Sequence, residues 1–254
     1  MKMANPEPLV CAIMLTRDRP AMARRAVEAF RAQTYASKRL VLLSSGFHQL
    51  PFPEFPIHLV MTPGKTIGHL RNLAIEFVCD RGAPGDCPEI VVHWDDDDWS
   101  HPNRIAEQVA LLQSSGADIV GYREMLFWDN RKCADVFDGG LAWLYSHPHP
   151  SYCLGTSLCY WRRTWEARKF RDISNGEEHW FCEGRKCIGA SSLVEHPSES
   201  KDFEPRAIQP RMIATIHGAN TGPNYDIDAL IARGSREWKR VPEWDDYCRR
   251  AMTL

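Results

Sequence analysis

The stretch that decides the fold lies near the middle of the chain and reads IVVHWDDDDWS over residues 90–100. Its apolar start, residues 90–92, is typical of a strand buried in a parallel sheet. Four consecutive aspartates, residues 95–98, follow almost at once, and a helix start, SHPN, comes next. Carboxylates at the end of a buried strand repel one another with little screening, so this pattern predicts a bound cation.

The type of cation follows from the ligand atoms. Carboxylate oxygens suit Mg²⁺, Mn²⁺ or Ca²⁺ rather than zinc. A solvated acidic loop is the alternative interpretation. We favour the metal site because strand, carboxylates, aromatic residue and helix start follow one another without a gap.

The size and charge of the chain are those of an ordinary globular protein. Its 254 residues suffice for one large domain, and the sequence contains no internal repeat, so we predict a single domain over residues 1–254. The formal net charge of −2 gives no general attraction to nucleic acid or to an anionic membrane. Basic residues crowd the two ends, and we interpret them as solvated helix faces rather than a polyanion site. They are Arg17, Arg19, Arg24, Arg25, Arg31, Lys38 and Arg39, and then Arg233, Arg236, Lys239, Arg240, Arg249 and Arg250.

Hydropathy and cysteine usage predict a cytoplasmic protein without membrane insertion. No apolar stretch approaches the length of a membrane span, and the N-terminus has no signal-peptide core. The nine cysteines are scattered and never form C-x-x-C, which is typical of buried thiols in a reducing compartment. Cys182 and Cys187 lack nearby paired histidines and make a poor zinc site.

The first half of the chain alternates short apolar runs with helix patterns, which predicts an open α/β sheet with mostly parallel order. Strands are predicted at residues 9–15, 40–43, 58–61, 90–92 and 119–122, and helices at residues 20–33, 67–78 and 103–113. Asp18 and Thr66 are the predicted N-caps of the first two helices. Ligands of such sheets bind outside the carboxyl ends of the strands. The strand ends around Thr16, Ser44 and Asp95 are therefore expected to converge.

The second half is less regular. We predict a hairpin over residues 125–137, a loop over 139–150, a strand at 158–161, short helices at 164–169 and 177–183, and a late strand at 212–216. The loop region is rich in rings, namely Trp143, Tyr145, His147, His149 and Tyr152. These rings form either a platform for a sugar or a nucleobase, or a cluster packed beneath a loop, and the sequence favours neither.

Six motifs, taken in order, point to a known family. They are CAIMLTRDRP (residues 11–20), GHLRNLA (68–74), HWDDDDW (93–99), GTSLCY (155–160), FRDISNGEE (170–178) and HGANT (217–221). The series covers roughly residues 9–222 and resembles glycosyltransferase family 2. The resemblance implies a GT-A fold, a single Rossmann-like, mixed but mostly parallel sheet flanked by helices, with an irregular acceptor-side C-terminal half. It also implies a nucleotide-sugar donor, Mn²⁺ or Mg²⁺, and inversion at the anomeric carbon. The donor-binding half would be residues 9–125, the acceptor and catalytic half 126–222, and a C-terminal extension 223–254.

Carried over residue by residue, Asp95-Asp96-Asp97 resembles the Asp-X-Asp motif of the family. The resemblance implies that Asp97 is the main metal ligand and that Asp95 contacts the metal or the ribose. His217 resembles a histidine that supplies a further metal or diphosphate contact, although a structural role is almost as plausible. The positions where the family binds the nucleotide correspond to Thr16, Arg17, Ser44, Arg71, Asp95 and Asp96. For Arg17 and Arg71, a surface charge pair is the alternative.

Glu177-Glu178 resembles the Glu-Asp pair whose second member is the catalytic base. An acceptor hydroxyl is a weak nucleophile until a carboxylate takes its proton, so we predict Glu178 as the base, with Glu177 as second candidate. The alternative is that both acids simply stabilise a helix start. Two departures from the family pattern matter. Glu178 stands where the family has Asp, and Ser44-Ser45 replaces an acidic pair that holds the nucleotide base, so a UDP-sugar is only the default donor.

The acceptor and the reaction class stay open at this point. The acceptor hydroxyl could belong to a glycan or, with less support, to a hydroxymethylated nucleic-acid base. A metal-dependent nucleotidyltransferase or phosphohydrolase would also use clustered carboxylates on an α/β sheet. A non-catalytic nucleotide-sugar-binding module is the third alternative.

Overall fold

The computed structural model describes residues 7–45, 58–60, 64–81, 87–131, 139–195, 208–217 and 227–253. Its strands are β1 (Val10–Arg17), β2 (Lys38–Ser45), β3 (His58–Val60), β4 (Ile90–His93), β5 (Trp99–Ser100), β6 (Ile119–Asp129), β7 (Leu141–Ser146), β8 (Cys159–Trp161), β9 (Cys187–Ser191), β10 (Leu193–Glu195), β11 (Ile208–Pro210), β12 (Met212–Ile216) and β13 (Trp238–Arg240). Its helices are α1 (Pro20–Arg31), α2 (Ile67–Arg81), α3 (Arg104–Ser115), α4 (Arg162–Ala167), α5 (Glu177–Cys182), α6 (Ile227–Ala232) and α7 (Asp245–Thr253). A 3-10 turn spans Gly155–Ser157 and another Pro242–Trp244.

One large mixed sheet organises the chain. Its first half runs β3-β2-β1-β4 with parallel pairing throughout. Beyond β4 the order continues through β8, β6, β7 and β13 with antiparallel pairing. The long strand β6 also pairs in parallel with β9 near its start and with β12 near its end. The predicted mixed α/β sheet is confirmed, with parallel pairing among β1, β2, β3 and β4.

The alternation of side chains along β1 explains why helices cover both faces. Val10, Ala12 and Met14 pack with α1 and α3, whereas Cys11 and Ile13 pack with α2 and α5. Residues on both faces are apolar because both faces are buried, as expected for a central parallel strand. The carboxyl ends of β1, β2 and β4 consequently meet at one edge, where Thr16 lies opposite Ser44.

The predicted N-cap is correct for α2 and wrong for α1. The Thr66 hydroxyl accepts a hydrogen bond from the His69 N–H at 3.1 Å, which confirms it as the cap of α2. Asp18 was the wrong cap for α1. Its φ is +50°, and the N-cap is Arg19, followed by Pro20 in the first turn. Asp18 has a left-handed backbone conformation and precedes the N-cap, so the N-cap of α1 lies one residue later than the sequence pattern predicts.

The predicted loop over residues 139–150 is wrong in its first part. Strand β6 runs unbroken to Asp129, and β7 lies inside the predicted loop and pairs with β6, Leu126 opposite Leu144. The glycines before β7 resemble loop signals, but Gly140 serves close packing. A Cβ there would lie 2.5 Å from Cε2 of the buried Trp128. The second strand of the predicted hairpin lies in residues 132–137, outside the described residues.

Two whole-chain expectations can be compared with the described residues. All eight cysteines among them are free, and most are buried, as expected for structural thiols. Within the same ranges, none of the helices combines the length and the apolar character needed to cross a bilayer.

Gly68, in the first turn of α2, makes a close contact that no larger residue allows. Its N–H donates to the Ile173 carbonyl at 3.0 Å, and a Cβ would lie 1.8 Å from the Arg171 carbonyl oxygen. We expect Gly68→Ala to lower the free energy of unfolding by about 2–3 kcal/mol, because backbone must move to admit the methyl group. Gly234→Ala is the control. That glycine has a φ of +89° but open space around it, so about 1 kcal/mol of backbone strain is expected. Equal losses in urea denaturation would contradict the packing argument.

Candidate active site

The four aspartates after β4, residues 95–98, form what we term the acidic turn. Ligand oxygens of Asp95, Asp97 and Asp98 all lie within 4.8 Å of one another. Asp97 and Asp98 are buried, and Asp95 is partly exposed. The structure therefore brings the predicted ligands Asp95 and Asp97 together and adds Asp98, whereas His217 is not part of this triad.

Burial and repulsion shape the protonation of the acidic turn. Burial, reinforced by Asp97, raises the pKa of Asp96 to about 8 and that of Asp98 well above its ordinary value. Burial also raises the pKa of Asp95, although Arg71 opposes the shift. Asp97 differs. Burial raises its pKa, but the hydrogen bond to His217 and the charge of Arg19 outweigh burial and leave it below its ordinary value. Asp97 is thus the carboxylate best kept ionised as a ligand.

Asp97 is held from two sides. Nη1 of Arg19 lies 3.0 Å from its Oδ2, and Nε2 of His217 lies 3.0 Å from the same oxygen. Nη2 of Arg19 also pairs with Oδ1 of Asp96 at 2.6 Å. Asp96 is almost fully buried, and the Thr16 hydroxyl contacts it. This placement does not favour the predicted contact of Asp96 with a nucleotide.

Asp98 anchors the acidic turn to its surroundings. Its Oδ1 accepts the Thr215 N–H at 3.0 Å, and its Oδ2 accepts the Thr156 hydroxyl. The fully buried Arg104 lies beneath and donates to the backbone carbonyls of His93 at 2.9 Å and Thr156 at 3.2 Å. The positive charge of Arg104 is therefore fixed under four carboxylates, where it offsets part of their repulsion.

Arg71 links the acidic turn to the glutamate pair. Its Nη1 bonds Oε1 of Glu177, and its Nη2 lies 3.8 Å from Oδ1 of Asp95. Glu177 is only 4% exposed, and burial raises its pKa to about 7 although Arg71 opposes the shift. The guanidinium that was predicted to bind the nucleotide is occupied by carboxylates of the chain itself.

Glu178 has a different environment from its neighbour. Its side chain is 20% exposed and lines a cavity of about 310 Å³ with Tyr152, His179 and Arg185. A Cβ on Gly155 would lie 3.0 Å from Cγ of Glu178, so this glycine leaves room for the carboxylate. Of the two glutamates, Glu178 is the one that a molecule in the cavity can reach.

The comparisons with known proteins concern the fold. Neither a protein-family model nor a curated protein sequence matches the chain. The crystal structure of S. aureus TarS 1-349 matches with a TM-score of 0.54 at 14% identity, over 82% of this chain and 60% of that fragment. The mannosyltransferase PcManGT from Pyrobaculum calidifontis, in complex with GDP-Man and Mn²⁺, matches with a TM-score of 0.52 at 15% identity, over 97% of this chain and 70% of that one. The chain has a glycosyltransferase fold.

The GT-A architecture predicted from the sequence is confirmed by these matches. The chain spans about 60% of the length of the TarS fragment. A TarS structure in complex with UDP-GlcNAc matches with a TM-score of 0.51 at 14% identity, over 82% of this chain and 58% of that one. At such low identity the likeness establishes the fold, and the chemistry of the site has to support the activity.

Three of the predicted nucleotide-contacting residues lie at the carboxyl ends of β1 and β2. Thr16 and Ser44 are buried at the carboxyl ends of β1 and β2, and Arg17 beside them is exposed. The structure places all three at the edge of the sheet that also carries the acidic turn. Their role in binding a nucleotide stays a prediction.

Of the two alternatives for the ring-rich region, packing in the core holds for Trp143 and Tyr145. Trp143 and Tyr145 are buried in a core cluster with Phe127 and Trp238, because β7 inserts them under the sheet. His147 stacks on Tyr152 with ring centroids 3.9 Å apart, and only Tyr152 of the five rings lines the cavity beside Glu178.

Sequence reasoning missed the arginines that serve the site. Arg19 and Arg25 were interpreted as part of a solvated face, which is wrong. Arg19 binds two aspartates, and Arg25 donates to the Asp97 carbonyl at 2.7 Å. The available signal was position, because Arg19 follows β1 at the ligand-binding edge of the sheet. Thr156 was quoted in a motif but given no role.

The protonation of Asp96 predicts a pH dependence of stability. Its ordinary pKa of 3.8 is raised to about 8 in the folded protein. Between about pH 4 and pH 8 the folded protein therefore holds a proton that the unfolded chain has lost. The free energy of unfolding should fall as pH rises through this window, by up to about 1.4 kcal/mol per pH unit. Asp96→Asn removes this proton, so its stability should fall less steeply.

Urea denaturation without divalent cations, at several pH values across this window, measures the two slopes. Asp246→Asn, on α7, is the control for the loss of an exposed negative charge. Parallel curves for the wild type and Asp96→Asn would contradict a proton held by Asp96.

Proposed function

We propose that this protein is a metal-dependent, inverting glycosyltransferase that moves a sugar from a nucleotide-sugar donor to an acceptor hydroxyl. One observation carries the proposal. A continuous set of contacts joins the carboxylate triad to the glutamate pair, from Asp95 through Arg71 to Glu177. A metal site and a proton acceptor are the two parts that such a transfer needs, and the fold is shared with a mannosyltransferase solved with GDP-Man and Mn²⁺.

Asp95, Asp97 and Asp98 fit a divalent cation. Opposite ligands of a six-coordinate ion with bonds of about 2.1 Å lie about 4.2 Å apart, and the oxygens of this triad lie within 4.8 Å of one another. Repulsion among these carboxylates falls when positive charge is added, and oxygen ligands suit Mn²⁺ or Mg²⁺. When bound, the ion would stabilise the charge that develops on the departing nucleoside diphosphate. His217, beside Asp97, is the proposed further contact.

Glu178 is the proposed base. Its carboxylate takes the proton of the acceptor hydroxyl while the hydroxyl oxygen attacks the anomeric carbon from the face opposite the leaving group. The bond to the diphosphate oxygen breaks as the new glycosidic bond forms. Glu177 suits this role less well, because it is buried and Arg71 binds its Oε1. We assign Glu177 and Arg71 to positioning α5 relative to the acidic turn.

The two halves of the chain are assigned to the two substrates. We propose that residues 9–125 bind the donor, that 126–222 bind the acceptor, and that 1–254 form one domain. Thr16, Arg17 and Ser44 would contact the nucleotide. Since Ser44 offers a hydroxyl where the family has an acid, the UDP-sugar stays the default and is the first donor to test. Tyr152 lines the cavity beside Glu178, and an aromatic ring there suits an acceptor sugar, which favours a glycan over a hydroxymethylated base.

A donor panel tests the proposal. Purified protein and Mn²⁺ are incubated with UDP-, GDP- and other nucleotide sugars, and the products are identified by mass spectrometry. Slow hydrolysis of one donor to its nucleoside diphosphate and free sugar supports glycosyl transfer. Release of phosphate or pyrophosphate would show a phosphohydrolase or nucleotidyltransferase instead. Binding of a nucleotide sugar without turnover, with every acceptor glycan added, would show a binding module.

The two proposed roles predict different losses. Asp97→Ala should abolish transfer and weaken donor binding, because it removes a metal ligand. Glu178→Gln should lower kcat by at least about a hundredfold and leave donor affinity nearly unchanged, because only proton transfer is lost. Glu183→Gln is the matched control, since Glu183 lines the same cavity on the segment after α5. Normal turnover in Glu178→Gln would remove it as the base.

A further inference from the structure

The guanidinium of Arg19 binds the atoms that a metal at Asp97 and His217 would need. Its Nη1 lies 3.0 Å from Oδ2 of Asp97 and 3.1 Å from Nε2 of His217. Those two atoms are themselves 3.0 Å apart. Neighbouring ligands of a six-coordinate ion with bonds of about 2.1 Å are also about 3.0 Å apart. Arg19 therefore places an N–H donor where two ligand atoms converge.

The hydrogen bonds of Arg19 to Asp97 and His217 and the bonds of a metal to the same two atoms cannot form at the same time. A guanidinium only donates, so Oδ2 of Asp97 accepts from Arg19; Nε2 of His217 donates to that same oxygen when it carries a proton and accepts from Arg19 when it does not. The same lone pair of Nε2 is the one that a metal would use. Arg19 and a divalent cation thus compete for the same electron pairs, and two cations at Oδ2 of Asp97 would repel each other.

The backbone before Arg19 holds the side chain in this place. Asp18 has a φ of +50°, and among the described residues it is the one non-glycine residue with a positive φ. Such a conformation costs about 1 kcal/mol or more and persists where its surroundings require it. Arg19 follows as the N-cap of α1, and Pro20 fixes the next φ. The turn directs the side chain of Arg19 toward the acidic turn.

Arg19 can also reach a ligand outside the protein. Its side chain is 21% exposed, unlike that of Arg104, which is fully buried beneath the same acidic turn. A planar guanidinium pairs with phosphate oxygens as readily as with a carboxylate. A donor diphosphate that arrives with its metal would offer Arg19 new acceptors at the moment when the metal takes the old ones.

We propose that Arg19 competes with the divalent cation for Asp97 and His217, and that it exchanges these partners for the diphosphate of the donor. This inference rests on the proposed metal and donor site. It predicts that metal and nucleotide bind cooperatively, because each removes a cost that the other would meet alone. Arg19 is then a positioning residue that keeps Asp97 paired until the donor is present.

The test measures Mn²⁺ binding and does not depend on turnover. MnCl₂ is titrated into metal-free wild type, Arg19→Met and Arg19→Gln by isothermal calorimetry, first alone and then with UDP or GDP. Arg24→Met is the control, because it removes the same charge from an exposed position on the same helix. Circular dichroism without metal shows which variants are folded, and Arg19→Gln retains a donor for Asp97 if Arg19→Met does not fold.

We expect Arg19→Met and Arg19→Gln to bind Mn²⁺ alone at least tenfold more tightly than the wild type, with Arg24→Met unchanged. We also expect the gain in Mn²⁺ affinity on adding nucleotide to be smaller in both variants. A folded Arg19 variant whose affinity for Mn²⁺ equals or falls below that of the wild type overturns this inference alone. Absence of Mn²⁺ binding in all four proteins overturns the proposed metal site and this inference with it.

Discussion

Repulsion among the carboxylates of the acidic turn is the constraint on which the rest of the structure depends. Several acids in one buried turn are tolerated only with compensating charge and donors close by. The compensation comes from four elements that are distant in sequence. It is supplied by Arg19 at the N-cap of α1 and Arg25 within it, Arg71 on α2, Arg104 on α3 and His217 after β12. Because these groups lie on separate elements, only the folded sheet brings them to the acidic turn. The acidic turn is only partly neutralised by these groups, so added positive charge would lower the repulsion that remains.

The parallel half of the fold was readable from the sequence because the central strands β1 and β4 are buried on both faces. Apolar runs such as that of β1 leave few alternatives to a buried strand. The second half obeys different rules. Strand β7 carries an exposed first residue and follows two glycines, and the strand was hidden by these loop-like features. Strand β13 and helix α7 lie in a charged tail whose apolar face is narrow, consisting of Cys248, Ala251 and Met252. Their burial depends on a partner surface, supplied by β6 and β7, that no local pattern reveals.

The site residues also divide into those that the sequence indicates and those that it does not. The aspartates and Glu178 stand out because acids at a strand end and at a helix start have a recognisable chemistry. The arginines do not stand out, because the sequence of a paired arginine is the same as that of a solvated one. The partners of Arg19 lie 77 or more residues away, and only the folded chain brings them within 3.1 Å. The rings of Trp143 and Tyr145 are a different case. Their type fitted a ligand platform and a packed cluster equally well, and their register on β7 places both in the core.

The last helix, α7, is linked to the backbone of the acidic turn by hydrogen bonds. Arg25 donates to the carbonyl of Met252 at 2.8 Å and to that of Asp97 at 2.7 Å. Met252 also contacts the Thr215 hydroxyl, which donates to the same Asp97 carbonyl. Helix α7 is therefore linked to the backbone of the acidic turn through these two side chains. A displacement of α7 would therefore act directly on the Asp97 backbone, through the side chains of Arg25 and Thr215.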